Sequence, residues 1–202
     1  MGVSTWIILL AIIAWGVVHS WLASRQAKAL ARRWFGEAAE RGYRLAYNLF
    51  AGITLLPVLT LAALLPDSRL YRLPAPWLWA ALAVQGLALV ALVVGLRQTG
   101  AWSFLGIEQL FQPRPSGEAK LVVRGLYRWV RHPLYTAGLA FIWFNPLMTM
   151  NLLVLNVGLT IYILIGALFE ERKLLREFGE AYAEYQRRTP MLIPGLRGRL
   201  KP

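Results

Sequence analysis

A chain of 202 residues and 22.8 kDa that is 57% hydrophobic and 16% charged, with a mean hydropathy of +0.48, has the composition of a membrane protein rather than a water-soluble domain. The absence of cysteine excludes disulfide scaffolding, thiolate nucleophiles, cysteine zinc sites and iron–sulfur clusters, and two histidines cannot make a histidine-rich metal site. A formal charge of +12 would suit nucleic acid, so the placement of the charges has to be read before their sum.

Four stretches carry no Asp, Glu, Lys or Arg: residues 2–24, 45–66, 73–96 and 133–169. Each reaches the roughly 18 to 20 residues that a bilayer crossing needs. The first begins without a basic leader and is too long for a signal-peptide core, so it is expected to remain as a span. Between the stretches, residues 25–44 hold six Lys or Arg, 67–72 two, 97–131 six and 172–201 eight, which accounts for all 22. Dense and sparse segments alternate, as they do when basic loops stay on the cytoplasmic side. The amino terminus and the segment around Asp67 are therefore expected outside, and the carboxy terminus inside. This alternation argues for a lipid bilayer as partner and against nucleic acid. Pro113, Pro115 and Gly117 mark a loop.

Residues 133–169 number 37 and as one helix would run about 55 Å, far beyond a hydrocarbon core of roughly 30 Å. Pro146 disfavours helical geometry at Asn145 and has no N–H to donate, so the pattern predicts a helical hairpin turning there. Two crossings here also keep the eight basic residues of the tail inside. The expected fold is all-α: a polytopic membrane protein with five transmembrane helices, the last two a hairpin, and a carboxy-terminal amphipathic interfacial helix. Residues 1–202 read as a single integral domain, with three spans in 1–96 and the hairpin and final helix in 97–202.

The hairpin brings Arg131, His132 and Pro133 to the depth of Glu170 and Glu171. Pro133 suits the first position of a helix, whose unpaired N–H groups and dipole then offer an anion site assisted by Arg124, Arg128 and Arg131, with Gly125 allowing close backbone approach. Basic residues beside a span also serve simply as headgroup anchors. Glu170 and Glu171, at the end of the last span, require a cationic partner, either Arg172, Lys173 or another arginine, or the ammonium of a ligand. Beyond them Leu174, Phe178, Tyr182 and Tyr185 follow at helical spacing among charged residues, so the helix lies on the membrane or closes its tyrosines over a ligand. His19 and Asn48 pair between spans or line a cavity. Trp6, Trp15, Trp77, Trp79 and Trp143 read as packing or interfacial anchors.

Arg131-His132-Pro133-Leu134-Tyr135-Thr136, then Glu170-Glu171, then Phe178-Gly179, Tyr182, Tyr185 and Thr189-Pro190, occur in this order. With them the chain resembles the isoprenylcysteine carboxyl methyltransferase and phosphatidylethanolamine N-methyltransferase superfamily, specifically over residues 122–194. His19-Ser20 and Tyr47-Asn48 are similar to bacterial relatives that include methanethiol S-methyltransferases. The resemblance implies a membrane methyltransferase that binds S-adenosylmethionine at the cytoplasmic face, with no metal. It implies cofactor contacts among Val122, Gly125, Leu126, Tyr127, Arg131, His132, Pro133, Tyr135, Glu170, Glu171 and Tyr182. The acceptor is a lipophilic molecule or a small thiol, with His19, Asn48 and Arg172 as candidate substrate contacts. One departure stands out: a glycine common in relatives is here Ala137, with Gly138 one position later. The rival reading is a non-enzymatic accessory protein or small transporter, yet a transporter should place ionisable groups near the bilayer centre, and apart from His19, near the inner end of the first span, the spans contain none.

Overall fold

The structure, a computed structural model, describes residues 2–111 and 121–195; the Pro113–Gly117 marks and the end of the basic tail lie outside the described residues. The chain divides into two compact units, the first of Met1–Tyr71, Gly100–Glu118 and Met148–Leu159, the second of Arg72–Thr99, Ala119–Leu147 and Thr160–Pro202.

In the first unit, charge-free residues form α1 (Val3–Ala23). The basic stretch after it, expected as a loop, is largely helical: Ser24 Oγ accepts the Ala27 N–H at 3.2 Å and starts α2 (Arg25–Phe35). Gly36, at φ +56, ends that helix and leads into α3 (Glu37–Leu64). After β1 (Arg69–Arg72) and α4 (Ala75–Thr99), which belongs to the second unit, come the short helices α5 (Ala101–Leu105) and α6 (Glu108–Phe111). The core of this unit is Ile8, Ile12, Val58, Ala62 and Leu155. Lipid supplies no hydrophobic drive between helices, so contact depends on small residues that let backbones approach. A Cβ at Gly158 would stand 2.9 Å from Ile12 Cγ2.

The α5–α6 turn is held by α3. Arg44 donates to Ser103 O at 2.9 Å, and Asn48 Nδ2 to the carbonyls of Phe104 and Leu105 at 3.2 and 3.0 Å. Gly106 makes the turn at φ +94, and a Cβ there would lie 2.5 Å from Leu45 N. Gly106→Ala combines left-handed strain with a backbone clash and is expected to cost about 1–3 kcal/mol, read as a lower melting temperature in detergent.

The second unit packs α4 on α7 (Pro133–Trp143), which follows a 3-10 turn at Gly125–Arg128. A Cβ at Gly95 would meet Leu134 Cδ2 at 2.8 Å, and Gln85 Nε2 donates to Phe141 O at 2.9 Å. The chain then passes through β2 (Leu147–Thr149), which pairs with β1, into α8 (Met150–Phe178), and ends in α9 (Glu180–Arg188).

Four helices among the described residues, α1, α3, α4 and α8, are long and apolar enough to cross a membrane, which makes this a multi-pass membrane protein. Five were expected. The missing one is α7, whose 11 residues rise only about 16 Å. The turn is where the sequence placed it, with Asn145 Oδ1 accepting the Leu147 N–H at 3.2 Å. However, the residues before Met150 are extended rather than helical, and hydropathy alone does not distinguish the two. The last amphipathic stretch is likewise not one helix: Gly179, at φ +55, breaks it between Phe178 and Glu180.

Candidate functional site

The cluster around Glu171 lies within the second unit. His132 precedes α7 with Pro133 at its first turn, and Glu170 and Glu171 sit about two turns before the end of α8, not at its terminus as the charge pattern suggested. Glu171 is the hub. Its carboxylate meets Arg131 Nε and Nη2, each at 2.8 Å, His132 Nε2 at 2.7 Å, Tyr182 OH at 2.8 Å and Gln186 Nε2 at 2.5 Å. The side chains of Arg131, His132 and Glu171 are only 7, 4 and 9% exposed. The forked Arg131–Glu171 contact is the geometry in which a guanidinium best compensates a buried carboxylate.

Arg131 is itself anchored from downstream. Its Nη1 donates to the carbonyls of Thr189 and, at 3.3 Å, Gln186. The backbone N–H groups of Arg131 and His132 donate to Pro190 O and Met191 O at 2.9 and 3.1 Å, and Thr136 Oγ1 to Leu192 O at 2.7 Å. Residues 189–192 thus form a strap across the entry to α7.

Glu170 differs from its neighbour in one decisive respect: its side chain is 43% exposed. It accepts the Tyr135 hydroxyl at 2.8 Å and lies 3.6 Å from His132 Nδ1. The His132 and Tyr135 rings stack, with centroids 5.3 Å apart and planes 12° off parallel. The imidazole is therefore bracketed by the two glutamates, one on each nitrogen.

Burial alone would lower the His132 pKa, but the hydrogen bonds and charges of Glu170 and Glu171 win and raise it above the ordinary 6.5. The imidazolium stabilises the fold fully below the unfolded value, and this contribution disappears as pH rises through the higher folded value. Melting in detergent between about pH 6 and pH 9 should therefore show a falling transition temperature that His132→Gln flattens; a flat wild-type curve would contradict the bracket. Burial, aided by the Glu170 charge, pushes Tyr127 up to about 12, and burial also raises Tyr182 and Tyr185. The Tyr182 and Tyr185 hydroxyls are neutral donors, to Glu171 and to the Tyr127 carbonyl.

Of the residues singled out in the sequence, Arg131, His132, Pro133, Tyr135, Glu170, Glu171 and Tyr182 come together. Tyr182 is 1% exposed with its hydroxyl on Glu171, which leaves its ring no open face for a ligand. Gly125, at φ +63, admits protein rather than ligand: the Gln98 side chain fills the space where a Cβ would sit, and Gln98 Oε1 accepts the Leu126 N–H at 3.0 Å. Val122 and Leu126 are half-buried, and the Tyr127 carbonyl receives the Tyr185 hydroxyl at 2.6 Å. Arg172 lies over the Phe169 ring, 5.8 Å from its centroid. Ala137 is packed, with open space beside Gly138.

His19 and Asn48 belong to the first unit and do not pair with each other: His19 Nδ1 is 3.1 Å from the Tyr47 hydroxyl, while Asn48 caps α5. Sequence reasoning missed Gln186, Gln98 and the strap. Gln186 was within reach, because it follows Tyr182 by one helical turn and shares its face.

Among known proteins, the family described as phospholipid methyltransferase matches residues 81–181. A methanethiol S-methyltransferase of Mycobacterium tuberculosis is 31% identical over 197 residues, covering 93% of this chain and 76% of that protein. A methanethiol S-methyltransferase of Pseudomonas deceptionensis is 49% identical over 72 residues, which are 36% of this chain and 28% of that protein. The human protein-S-isoprenylcysteine O-methyltransferase is 28% identical over 126 residues, 58% of this chain and 43% of that protein. No solved structure matches. Taken with the cluster of Arg131, His132, Glu170 and Glu171, a match across half its residues and a relative aligned along nearly its whole length mean that the chain belongs to the phospholipid methyltransferase family and is a methyltransferase.

Proposed function

We propose that the chain transfers the methyl group of S-adenosylmethionine to a small or lipophilic thiol at the cytoplasmic face of a bacterial inner membrane. The observation that carries the reading is the contrast between the two glutamates. Glu171 is saturated by protein donors, whereas Glu170 is exposed, anionic and aimed by Tyr135, and so offers the cofactor's ammonium group a partner. The first-turn amides of α7 complement its carboxylate, and Tyr127 and Tyr135 flank the place where its rings would lie. S-adenosylmethionine supplies an electrophilic methyl group on a sulfonium. The residues named here bind and orient it and keep water from it, a contribution worth about 7–11 kcal/mol when alignment is good. The acceptor thiolate would itself be the nucleophile toward that methyl group, so no nucleophile of the protein is required. The thiol acceptor is supported by the Mycobacterium tuberculosis relative, which is named for methanethiol.

We read the chain as one membrane domain with five crossings. Its basic 25–44, 97–131 and 172–201 segments lie inside, the amino terminus outside, and α9 lies at the inner interface. In this reading α7, about 16 Å, carries the chain partway through a roughly 30 Å core, and the turn at residues 144–146 with β2 (Leu147–Thr149) completes the fourth crossing.

The test is transfer from labelled cofactor in reconstituted membranes to methanethiol, a prenylcysteine analogue and an aminolipid. Methylation of the thiol is expected. Transfer to the aminolipid alone, or binding of cofactor without transfer to any acceptor, would overturn the assignment.

A further inference from the structure

We infer that Gln186 is a positioning residue of the cofactor site, acting through Glu171 and His132 on the direction of Glu170. The inference rests on the reading that Glu170 meets the cofactor's ammonium.

The contacts form a continuous relay. Gln186 Nε2 donates to Glu171 Oε2 at 2.5 Å, while its own main-chain carbonyl takes Arg131 Nη1 at 3.3 Å. Glu171 Oε1 holds His132 Nε2, which fixes the ring so that Nδ1 faces Glu170. Tyr135, stacked on that ring, donates to the same Glu170 oxygen, Oε2, that His132 Nδ1 faces. Glu171 has two oxygens and divides its donors unevenly: Arg131 Nε, His132 and Tyr182 converge on Oε1, and Arg131 Nη2 and Gln186 on Oε2. Without Gln186, Oε2 keeps a single donor. The carboxylate then loses one of the five hydrogen bonds that fix its plane, and the imidazole it holds is aimed less firmly at Glu170. Gln186 stands on α9, beyond the break at Gly179, so together with Tyr182 it ties that helix to the acid on α8.

The experiment measures S-adenosylmethionine dissociation constants and melting temperatures in detergent for wild type, Gln186→Met, Gln186→Lys and Glu170→Gln. Methionine matches glutamine in length and removes the donor; lysine restores one. The expected result is an affinity about three- to tenfold weaker for the methionine variant, the scale of one lost hydrogen bond, and within about twofold of wild type for lysine, with similar melting temperatures for both. Equal affinities for the two, or a loss that simply tracks melting temperature, would show that Gln186 only fills space and would overturn the inference. If Glu170→Gln binds as tightly as wild type, the Glu170 reading fails and the inference falls with it. If Glu170→Gln weakens binding while Gln186→Met does not, the inference alone fails.

Discussion

Glu171→Leu should melt far below wild type. The substitution leaves the Arg131 guanidinium buried at 7% exposure with two carbonyls but no anion, and removes the acceptor shared by His132, Tyr182 and Gln186. Breaking a buried pair from one side costs about 3–5 kcal/mol, against a total native stability of about 5–15 kcal/mol. The control is the double substitution Arg131→Met with Glu171→Leu. Removing both charges avoids the stranded guanidinium, so the double variant is expected to melt higher than Glu171→Leu alone, a non-additivity that a cycle of the four proteins reads directly. A Glu171→Leu protein that elutes monodisperse and melts like wild type would show that the buried contact contributes nothing.

Glu170→Gln should have the opposite profile. An amide oxygen still accepts the Tyr135 hydroxyl, and a side chain 43% exposed has little burial to lose, so the fold persists. What disappears is the charge available to a ligand's ammonium. Affinity for S-adenosylmethionine is expected to fall by tenfold or more, about 1.4 kcal/mol, with the melting temperature of the ligand-free protein little changed. Equal affinity of the two proteins, measured by equilibrium dialysis with labelled cofactor, would remove the ammonium assignment. Together the variants separate two neighbours that look interchangeable in the sequence.

That separation marks the limit of what was legible beforehand. Charge-free runs located α1, α3, α4 and α8, because membrane solvent imposes a composition that no local propensity can disguise. The approach of Arg131 and His132 to Glu170 and Glu171 followed from the turn at Asn145-Pro146. The sequence could not say that α7 would stop at Trp143 or that Leu147–Thr149 would be a strand, since hydropathy is the same for an apolar residue in either form. Nor could it say which glutamate faces inward: consecutive residues on a helix stand about 100° apart, and either could have met Arg131. Gly125 shows the same limit. Its conformational freedom was visible, but what uses the space, the Gln98 side chain, is a contact between residues 28 apart along the chain.

The strap has a bearing on how the protein is made. Arg131 finds the carbonyl of Thr189 only 58 residues further along, so while the ribosome is still adding that stretch the nascent Arg-His-Pro segment has neither its acid nor its backbone acceptors. The cluster around Glu171 therefore assembles late, after α8 is in place. A premature stop before residue 171 would leave an inserted polypeptide whose guanidinium has neither its acid nor its carbonyl acceptors, a natural mark for quality-control proteolysis.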